Sequence, residues 1–312
     1  SFRSVNKTEA YAGFGDMSYS LTDKLRFNAG IRYSTETKTF TDRNETNGII
    51  GPFITEEDSW SEWTPKVGLD YSLSDDAMVY FTVSTGFKSG AFVAAGTSAD
   101  PEFITAYEIG AKTMWLDNRL RLNVSAFQYD YEDLQVETWD ISTNTPGFSN
   151  AAKAGVQGLE VDAVALLSES FQVNVGLSFL DAEYDDFQVS EDVNVKGNKL
   201  PQSPEFTANI GLSYNRHVNG IGNLQARADY YYSAEKYFWH TNVAPQDNYE
   251  LINASIGVES EDGLWNVSLF AKNLTDELVY TRRLTNSFFL GDSTIDWATA
   301  PRTFGVSVTY NF

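Results

Sequence analysis

Hydrophobic and polar residues alternate along the chain in long segments. In one of them, the apolar residues Leu25, Phe27 and Ala29 are separated by Arg26 and Asn28. Because successive side chains of a β-strand point to opposite faces, this period of two predicts a strand with one apolar face and one polar face. The pattern returns in the apolar sets Phe171, Val173, Val175, Leu177 and Phe179; Phe206, Ala208, Ile210, Leu212 and Tyr214; and Phe304, Val306, Val308, Tyr310 and Phe312.

The connections between these segments alternate in length. The short ones are rich in Asp, Asn, Ser and Gly, which favour tight turns. The long ones cover residues 40–58, 87–102, 140–152, 184–203, 238–247 and 284–300. The thirteen predicted strands are 8–21, 25–39, 59–74, 77–86, 103–116, 119–137, 153–167, 171–184, 204–215, 223–237, 248–259, 264–283 and 301–312.

A soluble β-sandwich would show the same alternation, but three features favour a membrane barrel. Segments of about ten residues or more suit tilted membrane-crossing strands. Aromatic residues at segment ends, among them Tyr33 and Tyr129, suit interfacial girdles, and charges within the polar face, such as Asp70 and Lys112, suit a wet lumen. We predict an all-β fold, a transmembrane antiparallel β-barrel with short periplasmic turns and long extracellular loops.

The odd number of predicted strands indicates whether this sequence can form a complete barrel. Single-chain bacterial barrels have an even number of strands and begin and end at the periplasmic rim. Unpaired backbone groups at an open sheet edge cannot face lipid without a large cost in free energy. We therefore predict that residues 1–312 are the C-terminal portion of a longer polypeptide, or that other chains complete the barrel.

Composition narrows the classes of function. The chain of 312 residues has 22 Lys and Arg against 43 Asp and Glu, a net charge of −21, which argues against nucleic-acid binding. It has no Cys, and His217 and His240 fall in a predicted turn and loop without an evident catalytic partner. We predict no enzymatic activity, no cofactor and no metal centre.

Five stretches carry a family resemblance through their order and spacing, and they cover nearly the whole chain. They are 9–33, 80–92 (YFTVSTGFKSGAF), 106–135, 273–280 (NLTDELVY) and 301–312 (PRTFGVSVTYNF). Together they resemble the C-terminal half of the barrel of TonB-dependent outer-membrane receptors of Gram-negative bacteria. In such a receptor about twenty-two strands surround an N-terminal plug, so the resemblance implies that the plug and the first strands lie outside this sequence.

The resemblance also implies a function and a set of partners. A receptor of this kind imports a scarce, bulky solute, most simply a ferric siderophore, with energy from the TonB complex engaged through the missing N-terminal segment. Alternatives are the same fold importing an oligosaccharide or cobalamin, or, in a different class, a soluble sugar-binding β-sandwich. Outer-membrane lipid, lipopolysaccharide and the barrel-assembly machinery are the other expected partners, and the assembly signal would be Phe304, Val306, Val308, Tyr310 and Phe312.

A siderophore site would combine loop aromatic residues with Arg or Lys, because ferric siderophores are bulky and often anionic. Each residue of that kind in the loops also suits ordinary loop packing. Haem is disfavoured because residues 86–92 lack the His that a haem receptor of this family carries nearby. The candidates are Lys88, Trp139, Phe148, Tyr237, Trp239, His240, Arg282, Arg283, Phe288, Phe289 and Trp297.

Two predicted exterior loops are acidic. Residues 40–58 hold five Asp or Glu against one Arg, a net of −4, and residues 185–203 hold four against two Lys, a net of −2. We interpret both as solvated rims. Binding of Ca²⁺, or divalent bridging to lipopolysaccharide phosphates, is the functional alternative, although neither loop has EF-hand spacing.

Overall fold

The computed structural model describes residues 4–43, 45–46, 49–94, 97–140, 145–190, 193–285 and 294–312. Over these ranges, no helix has the length and apolar character needed to cross a membrane. The regular structure consists of β-strands.

Thirteen long strands form one antiparallel sheet, and each strand pairs with the next along the chain. The predicted number of strands and their order are confirmed. The strands are β1 Val5–Ser20, β2 Leu25–Asp42, β3 Ile54–Ser74, β4 Ala77–Lys88, β5 Glu102–Trp115, β6 Leu120–Asp140, β7 Thr145–Leu166, β8 Phe171–Asp186, β9 Phe206–Val218, β10 Gly222–Ser233, β11 Tyr249–Glu259, β12 Trp265–Lys272 and β13 Thr303–Tyr310.

One predicted strand, 264–283, is wrong in its second half. β12 ends at Lys272 because Asn273 adopts a left-handed backbone with φ of 51°. Asn tolerates that conformation better than most residues. Beyond the resulting turn, Tyr280–Thr285 pairs with Thr294–Ala298 as a separate hairpin in the last long loop.

The two rims of the sheet differ as predicted. Short connections of a few residues join the strands at one rim, and at the turn after β5 the residues Asp117 and Asn118 take positive φ values of 54° and 65°. Asn311 donates its backbone N–H to the carbonyl oxygen of Leu264 over 2.9 Å, so β13 also ends at this rim. The long connections lie at the opposite rim, called the loop rim below.

The two faces of the sheet also differ as the alternation predicts. On the outer face, Phe304, Val306 and Val308 are 68%, 64% and 59% exposed, which suits contact with lipid rather than water. A β-sandwich would cover this face with a second sheet, so the sandwich alternative is wrong. Tyr129 was expected in an aromatic girdle, but it lies on the inner face among the residues that surround Lys112, because its register partner Ala106 faces inward.

A small apolar core lies inside the loop rim. Phe187 is fully buried, Tyr184 is 2% exposed, and their rings lie 5.3 Å apart. Val136 and Val195 complete the contact between the inner wall and the loop that follows β8. This core fixes that loop against the barrel interior and so shapes the site described next.

Candidate functional site

A cleft of about 600 Å³ opens on the inner face at the loop rim. We call it the aromatic cleft. Strands β5 to β8 form its wall, and the loops after β8 and β10 form its roof. Its aromatic lining consists of Phe127, Tyr129, Tyr131, Tyr184, Phe238, Trp239 and His240.

Two asparagines join the two roof loops. Asn198 donates from Nδ2 to the carbonyl oxygen of His240 over 2.9 Å. Asn242 accepts from the backbone N–H of Lys199 at 2.7 Å and donates to the carbonyl oxygen of Lys199 at 2.9 Å. These bonds hold Trp239 and His240 over the cleft.

His240 is buried in the roof, with 4% of its surface exposed. Its ring lies 5.0 Å from that of Trp239 and meets the Phe187 ring edge-on at 5.4 Å. Burial lowers the pKa of His240, because the charged imidazolium loses its hydration there. The ring is therefore neutral at neutral pH and adds no positive charge to the cleft.

Gln135 on the cleft wall was missed by the sequence prediction. Its Nε2 donates to the carbonyl oxygens of Ser89 at 2.9 Å and Asp100 at 2.8 Å, and its backbone N–H donates to Glu102 Oε2 at 2.8 Å. Among the buried side-chain nitrogen and oxygen atoms of the described ranges, its Oε1 alone lacks a hydrogen-bond partner. A Gln within a strand gives no sequence signal for this role.

A second cleft of about 600 Å³, called the basic cleft, lies beside the first on the inner face of β1 to β4. Its charged residues are three cations, Arg32, Lys38 and Lys88, and one carboxylate, Glu36. Lys38 pairs with Glu36 at 3.0 Å, whereas the Arg32 Nε donates to the neutral Ser34 Oγ at 2.9 Å and, among the described residues, Arg32 forms no ion pair. The cleft therefore has a local excess of positive charge in an acidic protein.

The two clefts share a wall. Lys88 lines the basic cleft and lies 3.5 Å from Glu102, which lines the aromatic cleft. Ser89 donates from Oγ to Glu36 at 2.7 Å, and its carbonyl oxygen accepts from Gln135 of the aromatic cleft. A continuous run of polar contacts thus joins the two walls.

The other predicted site residues lie elsewhere. Arg283 makes a two-point ion pair with Asp296, at 2.8 and 3.2 Å, in the last loop hairpin, where Arg282 also stacks 5.5 Å from the Trp297 ring. Tyr237 donates to Glu235 at 2.8 Å and is not part of the cleft lining. The side chains of Trp139 and Phe148 and all of Phe288 and Phe289 lie outside the described residues.

The structure thus brings Trp239 and His240 into one cleft and Lys88 into the wall beside it. Within the described ranges, no group of three or more His, Cys, Asp or Glu side chains is placed to hold a metal ion. The arrangement suits capture of an organic ligand by ring stacking and hydrogen bonds.

Comparison with known proteins places the chain in a family. A protein-family model described as "TonB dependent receptor-like, beta-barrel" matches residues 1–306. The pesticin receptor of Yersinia pestis is 25% identical over 97% of this chain and 44% of its own length. The metal-pseudopaline receptor CntO of Pseudomonas aeruginosa is 26% identical over 95% of this chain and 41% of its own.

Solved structures show the same fold. The ferric yersiniabactin uptake receptor FyuA of Yersinia pestis superposes with a TM-score of 0.84 at 21% identity, over 100% of this chain and 47% of that one. The siderophore receptor PiuA of Acinetobacter baumannii gives 0.79 at 17% identity, over 98% and 43%. The chain spans less than half the length of these relatives, which are receptors rather than enzymes. With the family match over nearly all of its length, this chain belongs to the β-barrel domain of the TonB-dependent receptors, outer-membrane proteins of Gram-negative bacteria.

Proposed function

We propose that the chain is the C-terminal portion of the barrel of a receptor that captures a ferric siderophore at the loop rim and imports it with energy from TonB. The plug, the TonB-engaging segment and about nine further strands would come from the rest of the polypeptide. The position of β1 and β13 as the two edges of the sheet supports this, because an edge in lipid needs a partner strand.

The aromatic cleft is the observation that carries the proposal. Its volume of about 600 Å³ lies within the usual range for small-molecule sites, and its rings provide a surface for a chelator's own rings. It faces the interior at the loop rim, where a solute from outside would arrive first. The relatives described as siderophore or metal-complex receptors support the same substrate class.

The remaining expected partners follow from position in the membrane. The outer face of β13, together with Phe312 just beyond it, suits contact with outer-membrane lipid and recognition by the barrel-assembly machinery. Lipopolysaccharide would meet the charged outer wall near Lys199 at the loop rim.

The test is uptake of radioactive iron by cells that produce the natural polypeptide containing this chain and lack other siderophore receptors. We expect uptake of at least one class of ferric siderophore and its loss in an otherwise identical strain without TonB. Uptake of cobalamin or an oligosaccharide, with no ferric siderophore taken up, would instead support the alternative substrates.

A pair of variants ties uptake to the cleft. Trp239→Ala removes the largest ring of the roof and should lower uptake at limiting substrate about tenfold, as loss of a stacking contact does. Phe53→Ala is the control, because Phe53 is an exposed aromatic residue on the same rim and lines neither cleft. Equal effects of the two substitutions would contradict the assignment of the site.

A further inference from the structure

Charge is divided unevenly between the two clefts. Glu102 is the charged residue of the aromatic cleft, and it already accepts hydrogen bonds from the Gln135 backbone and from Lys88. Because His240 is neutral there, the described residues that line the cleft provide no free positive charge for an anion. An anionic group placed among these rings would lose its hydration without gaining an ion pair.

The basic cleft provides the opposite environment. Arg32 is exposed to the interior and has no carboxylate partner among the described residues, so its guanidinium is available to an incoming anion. A guanidinium binds a carboxylate through two parallel hydrogen bonds, which gives both affinity and orientation. Lys38 and Lys88 lie in the same cleft but are paired with Glu36 at 3.0 Å and with Glu102 at 3.5 Å, so Arg32 provides the unpaired positive charge of the cleft.

Only a few residues of the shared wall separate the two clefts. Lys88 and Ser89 belong to the basic cleft and contact Glu102 and Gln135 of the aromatic cleft directly. The two clefts are therefore adjacent, and Ser89 lies at the wall between them.

Building on the function proposed above, we infer that the two clefts form one bipartite site for a ligand with an uncharged aromatic portion and a separate carboxylate or similar anionic group. The aromatic portion lies under Trp239, and the anionic group lies against Arg32, with Lys38 and Lys88 beside it. The ligand class is thus an amphiphilic chelate rather than one whose negative charge surrounds the metal evenly.

The experiment uses matched synthetic probes and the natural polypeptide that contains this chain, purified from outer membranes. One pair is a ferric hydroxamate chelate with a pendant carboxylate and the same chelate with that group capped as a primary amide. A second pair is built in the same way on phenolate donors. Affinity is measured by isothermal titration calorimetry.

We expect the carboxylate member of at least one pair to bind about tenfold more tightly than its amide, as for a charge-assisted two-point contact. Arg32→Gln should remove this difference by weakening the carboxylate probe alone. Trp239→Ala should weaken both members by a similar factor. Lys272→Gln is the matched control, because it removes a charge from β12, outside both clefts, and it should change neither member.

Two failures are distinguishable. Equal binding of acid and amide, or an equal effect of Arg32→Gln on both, would overturn the bipartite site and leave the proposed transport of ferric chelates intact. Absence of binding by all four probes to folded protein would count against that proposed function as well.

Discussion

Two regions of the molecule, the turn after β12 and the aromatic cleft, differ in whether their buried polar groups are fully hydrogen-bonded. In the turn, Asn273 is 6% exposed and uses its backbone N–H, its side-chain oxygen and its side-chain nitrogen. In the cleft, Gln135 is similarly buried but leaves its side-chain oxygen without a partner. Buried polar groups are normally satisfied, so the turn is complete by itself, whereas the cleft leaves room for a further group or a rearrangement.

The Asn273 turn closes on itself and fixes the start of the last loop to two neighbouring elements, β11 and the segment before β13. Asn273 N–H donates to Asn253 Oδ1 of β11 at 3.0 Å, and its Nδ2 donates to the carbonyl oxygen of Glu277 at 2.9 Å. Asp276 accepts from the backbone N–H of Arg302, just before β13, at 3.0 Å. The turn therefore contributes to stability, whereas we propose that the cleft binds a ligand.

Asn273→Ala should produce the largest loss of stability, because the turn depends on this one side chain. The substitution removes three side-chain hydrogen bonds within the turn and strains a left-handed backbone, so we expect a loss of about 3 kcal/mol or more. The measurement is the thermal unfolding of the natural polypeptide in detergent micelles, followed by the mobility shift on gels. Thr275→Ala, an exposed position in the same turn, should cost about 1 kcal/mol or less. Equal losses for the two would show that Asn273 has no special role.

Gln135→Leu should reduce stability less than Asn273→Ala does, because one of the polar atoms that it removes makes no hydrogen bond. The two donor bonds to Ser89 and Asp100 disappear, for about 2 kcal/mol, while loss of Oε1 relieves an unsatisfied acceptor. The same thermal assay applies, with Gln128→Leu on the exposed outer face as the control. A loss of stability as large as that of Asn273→Ala would mean that the cleft wall stabilises the fold as much as the turn does. The proposed contrast between the two regions would then be wrong.

The same contrast explains which features of the structure could be predicted from the sequence. The period of two and the turn residues predicted thirteen strands and both rims, because strand direction and burial follow directly from local pattern. The stretch NLTDELVY supported the family resemblance, and it encodes the Asn273 turn, a structural feature. The period of two also puts Arg32 on the polar face, but its position in one cleft with Ser89 and Lys88 depends on pairing between strands distant in sequence, which no local pattern shows.

The same reasoning accounts for the site residues. Trp239 and His240 were predicted as ligand contacts because aromatic residues cluster in one loop. The structure places both in the cleft roof, and their contact with a ligand stays a prediction. Arg283 was chosen for its charge, yet Asp296 across the hairpin already neutralises it, since the two residues are register partners. A sequence shows which residues are charged, but it does not show which charges are already paired and which are available to a ligand.

Acidification should lower the stability that His240 contributes in the roof of the aromatic cleft. It should not change the stability contributed by the Asn273 turn. The pKa of His240 is lower in the folded protein than its ordinary value, so the unfolded chain binds more protons below about pH 6.5. Stability from this group is complete above that pH and falls as the pH drops toward the folded pKa, by at most about 1.4 kcal/mol per pH unit. The midpoint of thermal unfolding should fall less between pH 7.5 and 5.5 in His240→Gln than in the unchanged protein. His217→Gln, at the opposite rim, is the control and should keep the original pH dependence.

Lys199 gives the smallest expected effect, because it supports the cleft roof from the outer side. Its Nζ lies 2.9 Å from Asp181, 2.9 Å from Glu183 and 2.8 Å from Glu205. Burial alone would lower the pKa of Lys199, but the hydrogen bonds to these three carboxylates raise it. Its contribution to stability is therefore present below the ordinary lysine pKa and is lost only as the pH rises through the higher folded value.

Lys199→Gln should cost about 1 kcal/mol at low salt, since the three carboxylates are well exposed and water screens each pair. The loss should shrink as salt is added, because screening weakens the interactions that the substitution removes. Lys196→Gln in the same loop is the matched control and should change stability by less, as Lys196 is exposed and its backbone N–H rather than its side chain makes the local hydrogen bond. A salt-independent loss for Lys199→Gln would mean that its contribution comes from packing against the roof rather than from charge, and the roof would then resemble the Asn273 turn.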